Sequence, residues 1–170
     1  MLASPSHIHR NLRNAFRSAS VRERREGLAW YRKARREAEA LAAKYGEPAV
    51  LVVWLIASLS PKSSWSRNLK DAEHYLQTGI YPGMKPVSGG RKVGAFFHSI
   101  FRGGRTESVC VDRHIASAAA GRKLSERELK RFFDSPRRKD RIEKAIRTIA
   151  KEEGLWPAQV QAIIWVWWKG

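Results

Sequence analysis

The chain holds one cysteine, Cys110, in 170 residues. A single thiol excludes an intramolecular disulfide framework and any four-cysteine zinc or iron–sulfur site built by the protein alone. Long apolar runs are also missing. The longest, Ala49 to Leu59, is about half of a membrane span. The first residues, with His7, His9, Arg10, Arg13 and Arg17, contain no apolar signal-peptide region. A reducing, cytoplasmic setting without membrane association is therefore expected. Acidic residues are scarce, 16 against 33 Lys and Arg, which leaves a net charge of +17 at pH 7. Such an excess attracts polyanions, and each phosphate neutralised releases counterions, so salt-sensitive binding to nucleic acid is expected; on charge alone a membrane surface or an acidic protein stays open as the partner.

Hydrophobic residues make up 43% of the chain and seven are tryptophans, enough apolar surface to repay the entropy of ordering. The length suits one domain. The pattern is helical almost throughout. Residues 1–19 read as a basic arm or a short first helix, ahead of a single helical domain over 20–170. From Val21 to Tyr45, Leu28, Tyr31, Ala34, Ala38 and Leu41 recur at the spacing of an amphipathic helix, and Gly46 and Pro48 end it. Ala49 to Leu59 is apolar on nearly every side and reads as a buried helix, with a buried strand as the alternative. A turn at Ser60 to Ser64 precedes a helix over 65–77, and the glycines and prolines of 79–90 mark a loop. Val93, Phe96, Phe97, Ile100 and Phe101 give a helix with one aromatic face. Ser125 to Glu128 fits a capping box, Ser135-Pro136 opens a further helix, and Trp156-Pro157 opens the last. The expected fold is an all-α, single-domain bundle.

Chemistry concentrates in one stretch: Ser88-Gly89-Gly90-Arg91-Lys92, an apolar helix, then Val109-Cys110-Val111-Asp112-Arg113-His114-Ile115. The glycines allow a tight turn and close approach of amides to a phosphate. Lys92 falls in the first turn of the following helix, where the macrodipole and neighbouring Arg91 both disfavour a protonated amine, as a nucleophile requires. Asp112 stands before a small-residue helix, a natural N-cap, and a carboxylate there suits stabilisation of a sugar cation. Local evidence leaves blander alternatives open: Lys92 as a phosphate contact, Asp112 as a helix cap and nothing more, Trp65 and His114 as packing residues.

The order Gly-Gly-Arg-Lys, apolar helix, Val-x-Val-Asp-x-His-Ile resembles the helix–hairpin–helix DNA glycosylase superfamily, which includes endonuclease III. Leu55-Ile56-Ala57-Ser58-Leu59-Ser60-Pro61-Lys62-Ser63-Ser64-Trp65 is similar to the Leu-Ile-x-x-x-Leu-Ser-x-Gln-Thr region of that group. The likeness spans roughly residues 48–122 and extends to small phage-encoded proteins of the same group, whose last helix is rich in tryptophan, as Ala162 to Trp168 is here. It implies a nucleobase-directed enzyme in a bacterial or phage-infected cell, cleaving an N-glycosidic bond with associated lyase activity. By this resemblance Lys92 would attack the anomeric carbon, and Asp112 would stabilise the oxocarbenium-like state. Ser88, Gly89, Gly90, Arg91, Lys62, Ser63, Arg113, Arg137 and Arg138 would contact DNA, expected to be double-stranded and bound by a monomer. Ser60, Trp65 and His114 would line the base pocket, the base being flipped from the stack. Lys130, Arg131, Lys139 and Arg141 extend the basic cluster. No cofactor and no metal is expected. Two other readings stay open: modification of a base on the same scaffold, and a non-catalytic DNA-binding module. The sequence differs from the family pattern in the hairpin, usually Leu-Pro-Gly-Val-Gly, and in having Arg113 in place of the threonine of Val-Asp-Thr-His.

Overall fold

Short polar caps and terminal glycines set most of the element boundaries. Ser20 accepts from the Glu23 amide at 3.2 Å while the Glu23 carboxylate accepts from the Ser20 amide at 2.7 Å, which starts one helix; Gly46 in the left-handed region ends it. The computed structural model describes residues 4–61, 63–82 and 90–170. These form nine α-helices and no β-strand: α1 Pro5–Ser18, α2 Val21–Tyr45, α3 Ala49–Leu59, α4 Trp65–Thr78, α5 Arg91–Phe101, α6 Arg113–Ala120, α7 Glu126–Phe133, α8 Pro136–Glu153 and α9 Pro157–Lys169. The all-α reading therefore holds. The strand alternative for Ala49 to Leu59 does not, although Val50, Leu51 and Trp54 lie on an exposed flank of that helix. Among the described residues no single helix is long and apolar enough to cross a membrane.

The basic segment ahead of residue 20 is a core helix, not a loose arm. Ile8, Leu12, Ala15 and Phe16 share one face of α1 at helical spacing and are buried. Arg24 fixes the turn into α2 by donating to the carbonyls of Ala19 and Phe16 while its guanidinium lies 4.4 Å from the Phe16 ring. The few apolar residues among many charges hid this face in the sequence.

Two apolar clusters form the core. One gathers α1, α6, α7, α8 and the segment 109–111; the other gathers α2, α3, α4 and α5. Helix α9 serves both, giving Val160, Ile163 and Ile164 to the first and Ala158 and Ala162 to the second. A helix apolar on all sides needs such burial. Helices α2 and α9 come closest at Gly27, where a Cβ would stand 2.6 Å from the Ile163 Cα and 2.8 Å from its amide nitrogen. Because those are backbone atoms, the two helices must separate to admit a methyl group. Gly27→Ala is expected to lower stability by about 1–3 kcal/mol despite the better helix propensity of alanine, read as a fall in Tm. An unchanged or raised Tm would show that the crossing has slack.

Candidate functional site

The seam between the two clusters opens into a cavity of about 200 Å³. Helix α2 supplies Trp30 and Tyr31, the α3–α4 turn Ser60, Ser63 and Ser64, and α4 Trp65 and Asn68. From the opposite side come Lys92 and Phe96 of α5, Cys110 and Asp112 of the segment before α6, His114 of α6, and Gln161, Ala162, Trp165 and Lys169 of α9. Lys92 and Asp112, twenty positions apart in sequence, thus face one space together with Ser60, Trp65 and His114.

Local chemistry aims each group. Asp112 is the N-cap of α6: its Oδ1 accepts from the amides of His114 and Ile115, each at 2.9 Å. Its Oδ2 accepts from Trp165 Nε1 at 2.9 Å. An ionised carboxylate has about four acceptor sites, so three protein donors fix the group and leave capacity for a guest. Lys92 is the second residue of α5, which opens at Gly90 with φ +89°, a conformation that favours glycine. The Cys110 thiol lies 3.9 Å from the Lys92 carbonyl and donates to it, which ties the Asp112 segment to the start of α5. Burial, then the Asp112 charge, pushes that thiol up to about 12, so Cys110 stays protonated and is no nucleophile.

The walls are aromatic. Trp30 meets Trp65, Trp165 and Phe96 with ring centroids 5.5, 5.6 and 6.1 Å apart. Trp65 is held by its Nε1–H, which donates to Glu37 at 2.5 Å. Tyr31 donates to Gln161 Oε1 at 2.7 Å, and burial raises its phenol well above the usual range. Lys169 lies with its ammonium 4.3 Å from the Trp165 ring.

Burial lowers the His114 imidazole below its ordinary value, and Lys169, Arg113 and Lys92 add to the effect against the opposing charge of Asp112. The folded protein therefore resists a proton that the unfolded chain accepts. The stability due to neutral His114 is present above the ordinary imidazole range, near pH 6.5, and is lost as pH falls towards the lowered folded value. Thermal unfolding between pH 7.5 and 5 should show this loss in the wild type and a shallower slope in His114→Gln. Equal slopes would contradict the assignment.

The remaining expected contacts divide. Arg91 does not press its charge on Lys92 as the sequence suggests, because it pairs with Asp140 at 2.6 Å and with the buried Glu143 at 2.9 Å. Arg113 is exposed and paired with Glu126 at 3.0 Å; Arg138 donates to the Arg131 carbonyl at 2.6 Å; Arg137 is exposed. A second recess, lined by Gly90, Arg91, Lys92 and Lys139, adjoins the cavity through Lys92. Lys62, Ser88 and Gly89 lie outside the described residues. Among the described residues no group of three or more His, Cys, Asp or Glu is placed to hold a metal ion.

Sequence reasoning missed Trp30, Tyr31, Asn68, Phe96, Gln161, Trp165 and Lys169 as cavity residues. A signal was present for four of them. Gln161, Trp165 and Lys169 recur every four residues on α9, a polar-aromatic line on an otherwise apolar helix. Asn68 interrupts the apolar line of Trp65, Ala72 and Leu76 on α4.

This fold and cavity define a small helical protein with a lysine and a carboxylate facing an aromatic-walled pocket. The chain belongs to a family of unknown function, DUF7178, whose profile matches residues 2–88 and 83–170. No curated protein and no solved structure matches the chain.

Proposed function

We propose that the protein is a DNA-directed enzyme of the glycosylase type, which draws a nucleobase into the cavity and cleaves its N-glycosidic bond. The observation that carries this reading is the meeting of Lys92, Asp112 and the Trp30–Trp65 walls in one cavity. A flipped base stacks on the indoles, an interaction that tolerates any ring. Asp112 faces the sugar, where positive charge develops, and its three fixed donors keep it from reorganising during the reaction. The Lys92 nitrogen adds to C1′ as the C1′–N bond breaks. The base departs with the bonding electrons and takes the proton that the Lys92 nitrogen sheds on substitution; the nitrogen lone pair then opens the sugar ring at C1′–O4′, leaving a Schiff base on Lys92 and a hydroxyl at C4′.

The net charge of +17 and the adjoining recess with Lys139 suit contacts to flanking phosphates, and so does the exposed basic cluster of Lys130, Arg131, Arg137 and Arg141. The resemblance of residues 48–122 to the helix–hairpin–helix glycosylases supports the same reading. Duplex DNA from bacterial cells and from phage particles, incubated with the protein, should gain abasic sites while one nucleoside is depleted in the digest. A nucleoside of altered mass without abasic sites would transfer the cavity to base modification. Unchanged nucleosides and no abasic sites would leave DNA binding alone and overturn the proposal.

A further inference from the structure

Asn68 is only 2% exposed, and its Oδ1 is buried with no hydrogen-bond partner among the described residues. Buried polar atoms of native proteins are nearly always paired, and an orphan needs an explanation. The side chain sits one turn after Trp65 on α4, at a position where leucine would serve packing, and it lines the cavity. The other orphaned atom among the described residues, His9 Nε2, belongs to α1 and does not line it. The second buried amide of the cavity, Gln161, already has its oxygen occupied by Tyr31. What the pocket lacks is therefore a donor for Asn68. The terminal torsion of asparagine is soft, so a guest can turn this amide towards itself at little cost.

We infer that Asn68 is the specificity-determining residue of the cavity, and that the guest is a base whose outer edge carries an N–H that donates to Asn68 Oδ1. The inference rests on the base-directed reading above, which it narrows to bases with an unsubstituted edge N–H. Fully substituted edges are rejected because the orphan then stays buried and unpaired. The neutral amides of Asn68 and Gln161 and the indoles of Trp30, Trp65 and Trp165, which share the lining, fit an uncharged ring.

Quenching of tryptophan fluorescence in the full chain provides the test, since Trp30, Trp65 and Trp165 line the pocket. The probes are three pairs: 1-methyluracil and 1,3-dimethyluracil, 9-methylhypoxanthine and 1,9-dimethylhypoxanthine, 9-methyladenine and its N6,N6-dimethyl derivative. The first methyl group stands where the sugar would be, and the added ones remove the edge N–H. In the wild type at least one N–H member should bind about tenfold or more tightly than its methylated partner. Asn68→Leu, of similar volume, should bring that pair within about twofold and raise Tm by about 3 °C, because it removes the orphan. Equal binding of every pair by the wild type needs no variant to overturn the inference. Discrimination that survives in Asn68→Leu, or no binding of any probe, overturns it as well. Discrimination with no base release from DNA would leave Asn68 assigned and defeat the glycosylase reading instead; base release without discrimination would do the reverse.

Discussion

Replacing Lys92 by alanine removes the cavity amine at the start of α5, and borohydride trapping on a duplex with a single abasic site should fall by about 100-fold or more. Trapping joins the lysine nitrogen to the C1′ aldehyde with loss of water, and reduction of the C=N bond fixes the product. No other base has to be known for this assay, because the abasic site presents the sugar directly. Lys92→Arg sharpens the result. Its guanidinium keeps the charge but is never deprotonated in proteins, so DNA affinity should be retained while trapping is lost. A phosphate contact would give the opposite pattern: both variants would trap normally, and alanine would weaken DNA binding and reduce the salt slope by about one. Lys169 is the internal control. It lines the same cavity with its ammonium over the Trp165 ring, and Lys169→Ala should trap as the wild type does.

Asp112→Asn should reduce base release by about 10²–10³-fold, the usual cost of removing one preorganised charge-stabilising group. The same substitution separates chemistry from folding. Asparagine is as good an N-cap as aspartate, so the bonds from the His114 and Ile115 amides can persist. The second oxygen becomes an NH2 that meets Trp165 Nε1–H, donor against donor, with a loss of about 1–3 kcal/mol. Trp165→Phe removes that donor. The Asp112→Asn, Trp165→Phe pair should therefore recover part of the Tm without recovering base release. Full base release by Asp112→Asn would reduce the residue to a helix cap.

Much of this architecture is written in local chemistry. The ends of α2, α7 and α9 follow from Ser20, Gly46, the Ser125–Glu128 box and Trp156-Pro157, signals that act within one turn of the chain. Asp112 was legible for the same reason, since an N-cap is a local feature. The face of α1 was not, because Ile8, Leu12 and Phe16 are diluted by five histidines and arginines and become a face only against α6, α8 and α9. Nor was the cavity wall. Trp30, Gln161 and Trp165 meet the Lys92–Asp112 pair only through the crossing of α2 and α9 at Gly27, a long-range event that no window of sequence contains. Arg91 illustrates the same limit: beside Lys92 in sequence it reads as a repelling charge, yet Asp140 and Glu143, some fifty residues on, take that charge up.

The proposed function requires that the Lys92 amine meets the anomeric carbon. Peptide mapping of the borohydride-reduced adduct, formed by the unmodified full chain on an abasic duplex, tests it most directly. A single modified peptide is expected, with the sugar remnant on Lys92. An adduct on Lys169, a spread over surface lysines, or no adduct at all would contradict it.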